Sequence, residues 1–256
     1  MSPSPQSTAP ALKRLASFIR PAALWLLCWA AAPAQADPGY YMVSVYEDEG
    51  ATHLDYRYWA IRRPNAPELV WPEIGIGYGV TKRWYTELFM SYIGPSHGQS
   101  QPSTLNWQND YLLTQGQYNW DVAIHSNLIS GQTDQNDNAL EIGPVLQTDV
   151  GRVQINTNLI FEQALGSDTG RPPQLKYQWQ AKYRWNAAWH TGLQGFGELG
   201  DWNQWSRRQS HRWGPVVAGS LPLGGKQRVQ YQAAYLTGSV YGSSGDMLSV
   251  RLQYVY

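Results

Sequence analysis

Histidine and serine stand side by side at His125-Ser126 and at Ser96-His97, among other places. An imidazole next to a hydroxyl is the raw material of a nucleophile and its base, provided the two reach hydrogen-bonding distance. His125-Ser126 lies in a stretch that alternates polar and apolar residues, which reads as a strand. Adjacent strand residues face opposite sides, so this pair cannot act together. Ser96 and His97 share a loop with Gly94, Pro95 and Gly98 and with no other reactive group. The five histidines, at 53, 97, 125, 190 and 211, show no metal-ligand spacing. No catalytic residue, cofactor or metal is therefore expected. What remains is a set of charges embedded in alternating stretches. The acids are Glu73, Glu87, Asp110, Asp121, Glu141, Asp149 and Glu162; the cations are Arg57, Lys176, Lys182, Arg184 and Arg251. Most share a face with Asn, Gln, Ser or Gly.

Alternation with a period of two is the signature of a strand with one apolar and one polar side. It recurs near 52–62, 71–80, 84–93, 104–114, 117–129, 138–150, 152–164, 174–185, 187–199, 211–222, 227–237 and 247–256. The eighth stretch is the clearest. Leu175, Tyr177, Trp179, Ala181, Tyr183 and Trp185 point one way, and Lys176, Gln178, Gln180, Lys182 and Arg184 the other. The glycines at 192, 195 and 197 blur the ninth, and the tenth cannot be phased. Short turns at 81–83, 115–116, 151, 186 and 223–226 alternate with longer Gly-, Ser-, Asn- and Pro-bearing loops at 63–70, 94–103, 130–137, 165–173, 200–210 and 238–246. Loop lengths segregated in this way are the habit of outer-membrane barrels.

Both ends of the chain agree with an exported barrel. Residues 1–36 carry Lys13, Arg14 and Arg20 and no acid, then an apolar run from Ala22 to Ala32 and Ala34-Gln35-Ala36. That is the order of a secretory signal peptide, with cleavage expected after Ala36. Cys28 follows Leu27, where a lipobox requires a small residue. Cleavage after Ala36 removes Cys28, the single cysteine, and with it any disulfide. No later stretch approaches the roughly twenty apolar residues of a membrane helix. The chain nonetheless holds 13 Trp and 17 Tyr against 4 Phe, which favours the two aromatics that collect at membrane–water interfaces. Charge is balanced at 19 basic and 19 acidic residues, without the basic stripe that nucleic acid requires.

Two resemblances add to this reading. Leu248, Val250, Leu252, Tyr254 and Tyr256 share one face of the last stretch. An amphipathic strand ending on an aromatic resembles the C-terminal sorting signal of bacterial outer-membrane β-barrels. The run Gly77-Tyr78-Gly79-Val80-Thr81-Lys82-Arg83-Trp84, with Glu87 after it, resembles a turn in proteobacterial outer-membrane barrels linked to aromatic-degradation (meta-pathway, phenol-degradation) gene clusters. That family implies at most a passive channel role, and no functional residue carries over. The outer-membrane phospholipase carries its His and Ser two apart on one face, and this chain has no His-x-Ser.

The expected architecture is all-β: a transmembrane, up-and-down antiparallel barrel of about twelve strands over 51–256, after a signal peptide at 1–36. Residues 37–50 are a periplasmic lead, a plug that enters the barrel, or a misread first strand. Both termini face the periplasm. Charges cannot face lipid cheaply, so Arg57, Glu87, Asp110, Asp121, Glu141, Asp149, Glu162, Lys176, Lys182, Arg184 and Arg251 are expected to line the lumen. An acidic wall from strands two to seven would oppose a basic wall from strands eight, twelve and one. The lumen is then either a narrow aqueous pore or is filled by paired side chains. The corresponding functions are a small passive channel or uptake protein for a small solute, and a structural or partner-binding barrel. A lipid-modifying outer-membrane enzyme is the third alternative. The expected partners are outer-membrane lipid and the outer-membrane assembly machinery.

Overall fold

The computed structural model describes residues 39–46, 48–64, 66–132, 138–166, 172–204, 209–240 and 242–256. The expected signal peptide, 1–36, lies outside the described residues. Twelve antiparallel strands run in chain order: β1 (Thr52–Arg62), β2 (Leu69–Gly79), β3 (Trp84–Ile93), β4 (Gln101–Leu112), β5 (Asp121–Gly131) and β6 (Asn138–Val150). They continue as β7 (Val153–Leu165), β8 (Gln174–Asn186), β9 (Trp189–Asp201), β10 (Ser210–Gly224), β11 (Gln227–Val240) and β12 (Ser243–Val255). Each strand pairs with its neighbours in sequence, and β1 pairs with β12, closing the barrel. The seam runs from His53 opposite Val255 to Arg62 opposite Asp246. Beyond it, Thr52 and Tyr256 exchange backbone hydrogen bonds of 2.9 and 3.0 Å. Closure leaves no strand edge unpaired, which the interior of a bilayer requires.

The alternation seen in the sequence is the inside–outside alternation of the barrel wall. Leu54, Ile74, Ile76, Leu88, Leu128, Ile142, Leu159, Leu193 and Leu252 are exposed on the outer surface. Trp84, Tyr111, Tyr118, Trp120, Trp185, Trp189 and Tyr256 are also exposed, and cluster at the end that carries the β1 start and the β12 finish. An apolar band edged by Trp and Tyr is how a barrel matches the bilayer core and its interface. That end is called the terminal end below.

Three details differ from the sequence-based expectation. Residues 238–246 were expected as a long loop, yet β11 and β12 pair through to Val240 opposite Ser243. Backbone pairing there is insensitive to the Gly and Ser content that mimics a loop. Residues 115–116 were expected as a tight turn, and the connection between β4 and β5 instead spans 113–120. The tenth strand acquires a phase: Ser210, Arg212, Gly214, Val216 and Ala218 are buried inside, and Trp213 is exposed outside. Its small residues carry no hydrophobic pattern, so its neighbours set the register. On β9, Gly195 and Gly197 face outward beneath aromatic rings. A Cβ at Gly197 would stand 2.0 Å from the Tyr177 ring, so the ring covers backbone that a side chain would otherwise occupy.

Candidate functional site: the occupied lumen

Residues 39–46 run inside the barrel. Tyr40, Tyr41, Val43 and Val45 are each no more than 5% exposed. Their partners come from strands around the whole wall. The Tyr41 hydroxyl donates to Gln108 Oε1 on β4 at 2.8 Å. Asn158 Nδ2 on β7 donates to the Val43 carbonyl at 3.2 Å. Gln178 Nε2 on β8 donates to the Gly39 carbonyl at 2.9 Å, and Ser249 Oγ on β12 donates to the Tyr40 carbonyl at 3.1 Å. The Tyr40 hydroxyl bonds both Glu198 on β9 and Arg212 on β10. Only a segment within the lumen can reach all of these walls. Its strand-like apolar composition, Tyr40-Tyr41-Met42-Val43-Ser44-Val45-Tyr46, serves burial rather than sheet pairing.

The wall supplies an apolar bed for it. Trp59, Trp71, Phe89, Phe196, Leu236 and Met247 point inward and are buried with the two tyrosines. Tyr40 meets Trp59 edge to face at 6.1 Å, and Tyr41 meets Phe89 likewise at 6.1 Å. Each such ring pair adds about 0.5–1.5 kcal/mol beyond area burial. A mostly polar lumen was expected from the alternation, and this inward aromatic set departs from it because the segment needs apolar partners. β2 makes room: a Cβ at Gly79 would stand 1.9 Å from the carbonyl oxygen of Asp48.

The expected lumen charges fall into local clusters. Arg57 Nη2 lies 2.6 Å from Glu87 and 3.0 Å from Asp55, and its Nη1 lies 3.8 Å from Glu73. Arg251 Nη2 lies 2.6 Å from the same Asp55. Lys176 bonds Glu141 at 2.9 Å and also Glu162. His125 Nδ1 sits 2.6 Å from Asp110. Arg184 and Asp149 pair at 3.2 Å, both partly exposed near the short connections of β6–β7 and β8–β9. Asp121 takes the Tyr46 hydroxyl and the Gly116 N–H. Partial desolvation and that Asp121 hydrogen bond raise the Tyr46 hydroxyl above its ordinary range, so it stays a neutral donor. Arg212, with Glu198 at 3.0 Å, is an inward ion pair that the unphased tenth stretch concealed. An acidic wall facing a basic wall is therefore not what the lumen holds. Opposite charges are brought together within one strand and between strands one or two apart, and a buried charge without a partner is far more costly than a paired one.

Lys182 is the exception. It makes no hydrogen bond or ion pair among the described residues, and it borders a cavity of about 330 Å³ at the terminal end. The segment leans toward β5 there, through Tyr46 and Asp121. That leaves the cavity between Met42, Ser44 and Tyr46 on one side and the inner faces of β6 to β12 on the other. Among the described residues, no cluster of His, Cys, Asp or Glu is arranged to hold a metal.

This is the fold of bacterial outer-membrane β-barrels. Over 86% of the chain it resembles the COG4313 outer-membrane channel from Pseudomonas putida F1, with a TM-score of 0.56, 14% identity and 99% of that chain covered. Over 78% of the chain it resembles the NanC porin, with a TM-score of 0.54, 11% identity and 98% of that chain covered. No family model matches the chain, and no curated protein matches it.

Proposed function

We propose that this chain is an outer-membrane channel for small polar solutes, its lumen blocked in this structure by its own residues 39–46. The observation that carries the reading is the combination of a segment crossing the lumen and a polar cavity beside it. The segment is held by side-chain contacts and a few hydrogen bonds, without joining the sheet, so it can shift while the barrel wall stays intact. The apolar outer band and its aromatic edge support residence in a bilayer. The two similar structures are named a channel and a porin. In this reading the terminal end faces the periplasm, and outer-membrane lipid and the assembly machinery are the partners.

The test is planar-bilayer conductance of the mature chain beside a variant lacking residues 37–46. The full chain is expected to open briefly and rarely, and the shortened chain to carry sustained current. If both fold, by the gel shift on heating, and neither conducts, the barrel is filled and the channel reading falls.

A further inference from the structure

We propose that the cavity beside residues 42–46 is a binding site for a small hydroxylated organic anion, held by Lys182. This rests on the channel reading for its biological use, but not for its chemistry.

Among the described residues no carboxylate lines the cavity, although carboxylates are plentiful elsewhere in the lumen. Its ionisable lining is Lys182, Arg251, His190 and the phenols of Tyr46 and Tyr231, the last of which donates to the Ala188 carbonyl at 2.7 Å. Arg251 gives its Nε and Nη2 to Asp55, at 2.9 and 2.6 Å, so its charge is already shared. Lys182 is not so engaged. The neighbouring acid, Asp149, is taken by Arg184 at 3.2 Å. A compact ammonium left in a concave, partly desolvated site suits a carboxylate or another small anion as a charge-assisted partner.

The rest of the lining fits the remainder of such a ligand. Gln253 is 3% exposed, and its Nε2 has no hydrogen-bond partner among the described residues. Gln180 also lines the cavity, with its Oε1 likewise without a partner. Each leaves unused hydrogen-bonding capacity in a residue that borders the cavity, which is uncommon for a buried amide. Ser44 and Gln154 add a hydroxyl and a further amide. One cation with several neutral donors and acceptors matches a carboxylate that carries hydroxyl groups. The volume is at the small end of ligand sites, about 300–1,000 Å³, which suits a single sugar-sized molecule.

The experiment is equilibrium dialysis of radiolabelled D-glucuronate and D-glucose against the refolded mature barrel in detergent, where no conduction is needed. Glucuronate is expected to bind saturably and at least tenfold more tightly than glucose. Lys182→Gln should remove that preference, and Lys182→Arg should retain most of it. Equal binding of the two sugars by the unaltered chain would overturn the site. So would a glucuronate preference that survives in folded Lys182→Gln. If that variant does not fold, Gln253→Leu replaces it, with the same loss of glucuronate binding expected and unchanged binding counting against the site. Liposome swelling in each sugar is measured separately, with the variant lacking residues 37–46 whose lumen is expected to be open. Binding without permeation would remove the channel reading and leave the site standing; permeation without preferential binding would do the reverse.

Discussion

The guanidinium carbon of Arg57 lies 3.8 Å from the centre of the Tyr41 ring. This contact joins the buried ion cluster of the wall to the segment that crosses the lumen. Arg57 also lies 4.6 Å from the centre of the Phe89 ring, so the cation sits against two aromatic groups. A desolvated cation–π contact is worth about 2 kcal/mol. Tyr41→Ala should therefore loosen the segment while the barrel, whose strand-pairing hydrogen bonds are untouched, remains folded. Raised open probability in planar bilayers with an unchanged heat-shift on gels is the expected result. Unchanged gating would mean that Tyr41 does not hold the segment in place.

Two lysines on one face of β8 should behave differently. Lys176 is held between Glu141 and Glu162. Removing its charge leaves both acids buried without their cation, and Lys176→Gln should destabilise the barrel by about 3–5 kcal/mol. Lys182 has no such partner, so Lys182→Gln should change stability by less than about 1 kcal/mol. Urea titration of both refolded variants in lipid compares them directly. Equal losses would place an acid on Lys182 and remove the basis for treating it as a free cation.

The strand count, and the outward face of most strands, were readable because lipid imposes a strict alternation on the sequence. β8 shows this best, with its cations inside and its aromatics outside. The inside was less readable. Trp59 and Trp71 point inward because Tyr40 and Tyr41 lie against that wall, and periodicity carries no information about a segment that pairs with no strand. Arg212 was hidden because Gly214, Pro215 and Gly219 erase the pattern of β10. The Lys176 and Arg57 clusters depend on register between neighbouring strands, which alternation within one strand cannot supply. For the same reason Lys182 looked like its neighbours in sequence and differs from them in space.

The seam predicts an effect on assembly. Tyr256 donates its N–H to the Thr52 carbonyl at 3.0 Å and accepts from the Thr52 N–H at 2.9 Å. Deleting Tyr256 removes both hydrogen bonds at the point where β1 and β12 close the barrel. The amount of folded, heat-modifiable barrel in membranes should fall while export past the inner membrane continues. Fractionation that finds full amounts of folded barrel would show that closure does not depend on this residue.

One step along β7 separates the lipid side from the lumen side. Leu159 is 42% exposed on the outer surface near the middle of the strand, and Asn158 is fully buried inside, holding the Val43 carbonyl. Leu159→Lys places a charge in the hydrocarbon, which costs about 2–4 kcal/mol at the midplane. It should not change the open probability of the molecules that do fold. Asn158→Ala breaks the hydrogen bonds to Val43 and to Gln178, at 3.2 and 2.8 Å. Its loss of stability should be about 1–3 kcal/mol, the usual consequence of leaving a buried acceptor unpaired. Its distinguishing effect should be on current, since one of the few hydrogen bonds that hold the segment is gone. Urea titration in lipid vesicles measures the first quantity and planar-bilayer recording the second. A harmless Leu159→Lys would contradict the assignment of that face to lipid. Asn158→Ala with wild-type current would show that the hydrogen bond to Val43 does not restrain the segment, leaving the tyrosine contacts to hold it alone.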